Sequence, residues 1–287
     1  HGAWADAQRA VRLVRREAKA RGFDPERIGV IGFSAGALLA TLLATSAQTP
    51  AAAPVDELDG TPCHVAFAVA AALPHGYSAD RLPSHLSDEF RFDAKTAPLC
   101  LLQGGRDPFG VLHASHVYRQ LRRMKIPAEL HGFADKAHDF WGWNPDPQTG
   151  TGPDNWFENV RGFIRQMDFD GQLAAERPIE TRFADDSACG ARVRRELWPS
   201  GRMPDVQTNQ CAPYLEWWMP KTIRTRSIQI LYSGGSYMDN HPEAWDGVPA
   251  ARRFLNARGM TVVTLKYRTP RPTSGIAFYR TAWQDLQ

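Results

Sequence analysis

Arg27-Ile28-Gly29-Val30-Ile31-Gly32-Phe33-Ser34-Ala35-Gly36-Ala37-Leu38-Leu39-Ala40-Thr41-Leu42-Leu43-Ala44-Thr45 passes from one structural period to another around a single serine. Residues 27–33 form a short apolar run that reads as a buried strand, and residues 36–45 read as a helix of small and aliphatic side chains packed behind it. Between them Gly32-Phe33-Ser34-Ala35-Gly36 has the G-x-S-x-G form of a nucleophile elbow, in which a sharp strand-to-helix turn lifts a serine hydroxyl clear of the sheet. Glycine at both flanks lets strand and helix approach closely. The plainer alternative is a glycine-rich turn with an incidental serine.

Outward from that turn the chain alternates. Trp4, Ala7, Val11, Val14 and Ala18 recur at helical spacing over residues 4–21, and Gly22 closes the segment. Strands are expected at 65–73, 99–104 and 129–133, with a polar insertion at 74–96 and helices at 111–125 and 154–167. Residues 168–190 are polar and aperiodic, the best candidate for a linker. Beyond them strands are expected at 192–198, 214–218, 227–232 and 261–267, with a helix carrying Val248, Ala251, Phe254 and Leu255. This alternation predicts an α/β fold, a mostly parallel sheet with helices on both faces. We read residues 1–287 as a single domain, made of a 1–167 half and a 191–287 half joined by 168–190.

Composition narrows the function classes. Of 287 residues 43% are hydrophobic, enough for a substantial core, and the net charge is only +3. Arg192, Arg194 and Arg195 are interrupted rather than clustered, which argues against a nucleic-acid partner. The apolar stretch at 65–73 is too short to span a bilayer, so no membrane partner is expected. The four cysteines show no C-x-x-C spacing; Cys100 reads as a buried thiol, and a Cys189–Cys211 bridge is one reading that spacing alone leaves open. Neither an H-E-x-x-H motif nor a Cys/His cluster appears, so no metal is expected. Because the chain starts at His1 it reads as a processed or cloned segment, with a secreted or periplasmic location the leaning.

A serine hydroxyl needs a base beside it and donors for the charge it creates. In strand order the acid is expected after a later strand, where Leu101-Leu102-Gln103-Gly104-Gly105-Arg106-Asp107-Pro108 delivers Asp107 into a turn. Asp107 has a plainer reading as a turn residue. Nine histidines are present, and His138, in the loop after the 129–133 strand, completes the order Ser34, Asp107, His138. His113 and His116 fall on a helix and His131 within a strand. The oxyanion hole is expected from the backbone N–H of Ala35 and from the turn Gly234-Gly235-Ser236, for which an ordinary turn is the alternative. Phe140, Trp141, Trp143 and Trp156 crowd the region after His138; they suit either a sugar-stacking platform or packing under the last helix of that half. Trp141, Trp143 and Tyr237 are the candidate substrate contacts.

Phe33-Ser34-Ala35-Gly36, Gly104-Gly105-Arg106-Asp107-Pro108, His138-Asp139-Phe140, Ser233-Gly234-Gly235-Ser236-Tyr237 and Val263-Thr264-Leu265-Lys266-Tyr267-Arg268 together resemble the acetyl-xylan/feruloyl esterase-like branch of the α/β-hydrolases. That resemblance implies a Ser-His-Asp triad, no cofactor and carbohydrate ester substrates. It covers most of the chain in two blocks of swapped order, since the oxyanion loop of an ordinary α/β-hydrolase precedes the nucleophile. Ser233 stands where many relatives carry histidine, and Ser236 where a third glycine is common; neither change removes a backbone N–H. Ala3-Trp4-Ala5-Asp6-Ala7-Gln8 and Ala282-Trp283-Gln284-Asp285-Leu286-Gln287 both read A-W-x-D-x-Q. The expectation is a circularly permuted esterase, with a segment cut from tandem repeats as the other history. The halves would complement within one chain or be exchanged in a homo-oligomer. Two further readings are a prolyl oligopeptidase-like peptidase and a catalytically silent carbohydrate-binding fold.

Overall fold

Strands that must be covered on both faces need near-continuous apolar sequence, and five segments of this chain supply it. They are β1 (Ile28–Phe33), β2 (Phe67–Ala71), β3 (Leu99–Gly104), β7 (Ile228–Tyr232) and β8 (Thr261–Lys266), each buried along its whole length. With β4 (Ala128–Phe133), β5 (Cys189–Glu196) and β6 (Tyr214–Pro220) they form one eight-stranded sheet of order β4-β3-β2-β1-β7-β8-β6-β5. The six strands from β4 to β8 are parallel to their neighbours, whereas β6 joins β8 and β5 joins β6 antiparallel. These coordinates are a computed structural model that describes residues 2–74, 86, 89–107, 111–138, 140, 154–167, 189–204, 212–234 and 247–268.

The period-2 alternation of the strands divides the core between two faces. Val30, Leu99 and Leu101 pack with α1 (Gly2–Ala18), α2 (Ala35–Ser46) and α3 (Val111–Arg123) through Val11, Val14, Leu39, Val117 and Leu121. Ile31, Phe33, Cys100 and Leu102 pack with α4 (Asp154–Gln166) and α5 (Gly247–Ala257) through Phe157, Phe163, Val248 and Phe254. Gly22, at φ 82°, turns the chain out of the α1 segment, as its place in the sequence predicts.

The α1 helix is fastened to the far end of the chain. Asp6, wholly buried, accepts hydrogen bonds from the Arg268 backbone N–H at 2.8 Å and from the Arg268 guanidinium at 2.5 Å, and from Trp198 Nε1 at 2.7 Å. Arg9, one turn on, stacks over Trp198 at 4.3 Å and pairs with Asp56 at 2.6 Å. Gln8 holds the loop after α2 at both its amide ends, donating to the Thr49 carbonyl and accepting from the Ala51 N–H.

Edge strands depart most from the sequence reading. β5 starts at Cys189, inside the stretch read as a linker, and ends at Glu196 rather than at 198. It is exposed on both faces for most of its length, so apolar periodicity has little to mark there, and an irregularity between Cys189 and Ala191 shifts its pairing with β6. Residues 168–188 and 282–287, and with them Cys211, lie outside the described residues. Among the described residues no helix is long and apolar enough to cross a membrane.

Candidate active site

Ser34 sits between β1 and α2 with φ 51° and ψ −118°, a backbone conformation that costs a residue with a Cβ of order 1–3 kcal/mol. The surroundings hold it there. Its N–H donates to the Ala71 carbonyl at 2.9 Å, and its own carbonyl accepts from Ala37 at 2.8 Å and Leu38 at 3.2 Å. A Cβ on Gly32 would stand 1.9 Å from the Gly36 carbonyl oxygen, and one on Gly36 would stand 2.4 Å from that of Tyr232. Both glycines of the motif are therefore required by the packing of β1, α2 and β7.

The structure brings the three polar candidates together. His138 Nε2 lies 2.8 Å from Ser34 Oγ, and His138 Nδ1 lies 2.8 Å from Asp107 Oδ2. A carboxylate oxygen accepts, so Nδ1 donates and Nε2 is left to accept the serine proton. The Asp107 side chain is wholly buried, while that of His138 keeps 24% of its surface exposed. The turns after β3 and β4 are latched together: Gly105 N–H donates to the Phe133 carbonyl at 2.7 Å, and Arg106 N–H donates to that of Lys136 at 2.9 Å. A Cβ on Gly104 would meet the Ala137 oxygen at 2.4 Å, so the loops that carry Asp107 and His138 fit only around glycine.

Two positioning groups escape the sequence reading. Gln103 Nε2 donates to Asp107 Oδ2 at 2.6 Å, the oxygen that also receives His138. The Tyr267 hydroxyl, fully buried beyond β8, lies 2.9 Å from the Ser233 carbonyl oxygen and 3.2 Å from that of Gly234. The one available signal for Gln103 is a lone polar residue in an otherwise apolar buried strand; Tyr267 falls in one of the signature blocks, which say nothing of its contact with the 233–234 turn.

Of the Gly-rich turn, Ser233 and Gly234 are described. A Cβ on Gly234 would come within 3.2 Å of Ser34 Cβ and of the Phe33 carbonyl oxygen, so this turn abuts Ser34 although two hundred residues separate Ser34 from Gly234. Ala35, next in the chain after Ser34, is the first residue of α2. Gly235, Ser236, Tyr237, Trp141 and Trp143 fall outside the described residues. Phe140 and Trp156 follow the packing alternative. Trp156 is 2% exposed, edge-on to Phe33 at 5.7 Å and stacked on Phe157 at 3.7 Å, and Phe140 packs on Phe133 at 5.2 Å. Their flat area is spent on closing the core beneath the site. Among the described residues, one trio has metal-ligand chemistry, Cys100, Glu129 and His131, and it lies on β3 and β4 apart from Ser34.

Comparisons with known proteins bear on this arrangement. The BD-FAE family model matches residues 2–73, which hold α1, β1, Ser34 and α2. An esterase from Thermogutta terrifontis, solved after phosphonylation by cyclosarin, superposes with a TM-score of 0.50 at 22% identity over 60% of this chain and 66% of its own. An acetyl ester-xyloside bifunctional hydrolase from Caldicellulosiruptor lactoaceticus gives 0.47 at 24% identity over 58% and 66%. The chain has the α/β-hydrolase fold.

The chain thus spans just under two thirds of the length of either structure. Curated proteins gave no significant match. In this α/β-hydrolase sheet Ser34, Asp107 and His138 follow the C-terminal ends of β1, β3 and β4, the rim on which loops of such sheets gather ligands.

Proposed function

We propose that the protein is a serine carboxylic ester hydrolase. The observation that carries this reading is the continuous relay from Ser34 Oγ through His138 to Asp107, both links at 2.8 Å, beside the Gly234 turn. Ser34 Oγ attacks the ester carbonyl carbon while His138 Nε2 takes its proton. The proposed oxyanion hole takes the Ala35 N–H together with the Gly-rich turn that opens at Gly234, its donors stabilising the developing charge. Collapse of the tetrahedral intermediate expels the alcohol, which leaves with the proton from His138. Water then attacks the acyl-serine as His138 accepts its proton, and His138 returns that proton to Ser34 Oγ as the carboxylic acid departs.

For the substrate we propose acetyl or feruloyl esters of plant polysaccharide such as xylan. Support comes from the signature blocks in the sequence and from the match to BD-FAE. No cofactor enters this mechanism. Hydrolysis of p-nitrophenyl acetate tests the chemistry: Ser34→Ala is expected to lower turnover by at least roughly a thousandfold with folding intact, and turnover that survives the change overturns the assignment. Acetate release from acetylated xylan then tests the substrate.

We propose, further, that the chain order is a circular permutation, with residues 1–287 acting as one domain. Two contacts favour it. The Gly234 turn lies against Ser34, and Asp6 at the head of α1 receives Arg268, just past β8, as though α1 followed β8 directly.

A further inference from the structure

One side-chain cluster carries chemistry that ester hydrolysis leaves unused. The parallel register of β3 and β4 sets Cys100 beside Glu129 and Leu102 beside His131. Alternate residues of a strand share a face, so Glu129 and His131 project together, on the side where Cys100 meets α4. The Cys100 thiol, a Glu129 carboxylate oxygen and a His131 ring nitrogen all lie within 4.8 Å of one another. His131 Nε2 is 2.7 Å from Glu129 Oε2, and Gln166 Nε2, from the end of α4, donates to Glu129 Oε1 at 2.8 Å.

We propose that Cys100, Glu129 and His131 form a site for a divalent transition-metal ion, zinc being the best match. One sulfur, one nitrogen and one oxygen donor from the protein, with water in the fourth position, is a donor set zinc accepts; magnesium and calcium, which take oxygen donors, are disfavoured. Zinc bonds of about 2.0–2.3 Å in a tetrahedral arrangement keep donors about 3.3–3.6 Å apart. The 2.7 Å contact between His131 and Glu129 must therefore open by less than about 1 Å, and the thiol must close from at most 4.8 Å. The two β4 side chains have that freedom, being 30% and 23% exposed, whereas Cys100 is fully buried and fixed by β3.

The rest of the surroundings suit an ion. Gln166 orients the second oxygen of Glu129, the outer support that ligating carboxylates usually have. Because β4 is an edge strand of the described sheet, the partly exposed Glu129 and His131 provide the entry path. Cys100 stands near the start of β3, seven residues before Asp107, so the ion would tie β3 to β4 and take no part in ester cleavage.

The test is a cobalt titration of the full chain after treatment with a chelator. A single equivalent of Co2+ is expected to produce a near-ultraviolet thiolate-to-cobalt charge-transfer band, and Zn2+ to remove it by displacement. Cys100→Ser is expected to abolish the band, and His131→Gln, at a partly exposed position, to weaken Co2+ binding at least tenfold. Absence of the band in the unmodified protein overturns the proposal. So does a band that persists in Cys100→Ser, because the ion would then sit on another cysteine. The readout does not involve ester turnover, so failure here and failure of the hydrolase reading are separate results.

Discussion

Gln103 and Asp107 meet at a single carboxylate oxygen, and that oxygen also holds His138. Gln103→Leu removes one donor to this oxygen without changing Ser34 or His138. The expected result is a fall in kcat of about tenfold, with KM little changed, because orientation of His138 matters most as the imidazolium forms. Steady-state kinetics on p-nitrophenyl acetate checks it. At Gly32 the effect should be structural: a methyl group 1.9 Å from the Gly36 oxygen forces β1 and α2 apart, at an expected cost of about 3 kcal/mol measured by urea unfolding. Ser34, Asp107 and His138 were legible in the sequence because each leaves a recognisable strand at a turn, in chain order. Gln103 and Tyr267 were not, since what they do depends on groups that only the folded chain brings opposite them.

The bond between α1 and the end of β8 can be tested as a pair of elements. Asp6→Ala leaves the Arg268 guanidinium buried with its main carboxylate gone, and breaking a buried pair in this way typically costs about 3–5 kcal/mol. Urea unfolding of Asp6→Ala should show that loss, and Asp6→Leu combined with Arg268→Met should recover much of it. Further along α1, hydrogen bonds from Arg9 hold the Asp56 carboxyl below its ordinary range. A depressed carboxylate gives stability that is complete above the unfolded value of about 4 and is lost as pH falls through the folded one. Unfolding measured between pH 6 and pH 2 should therefore fall less steeply in Asp56→Asn than in the unmodified protein. The central strands were readable because burial on both faces imposes a continuous apolar run. β5, solvated on both faces, gives pattern analysis nothing comparable, and its start was missed by three residues.

At the scale of the whole molecule, the sheet interleaves two distant stretches of chain. β1 lies between β2 and β7, and β7 and β8 separate it from the antiparallel flank of β6 and β5. Residues 1–167 and 191–287 produced as separate polypeptides are expected to stay unfolded alone, since each would present an open central strand edge. Mixed together they should regain ester turnover; activity in the 1–167 piece by itself would contradict the single-domain reading. The pairing of β1 with β7 also has a history in time. Two hundred residues separate Ile28 from its partner Ile228, and at a synthesis rate of about 5–20 residues per second the nascent β1 waits roughly 10–40 s for that neighbour to leave the ribosome. Throughout that interval a fully apolar strand stands with one edge bare. The demand this places on the cell is for nascent-chain chaperones, and slower translation would lengthen the exposure while abundant chaperone would shield it.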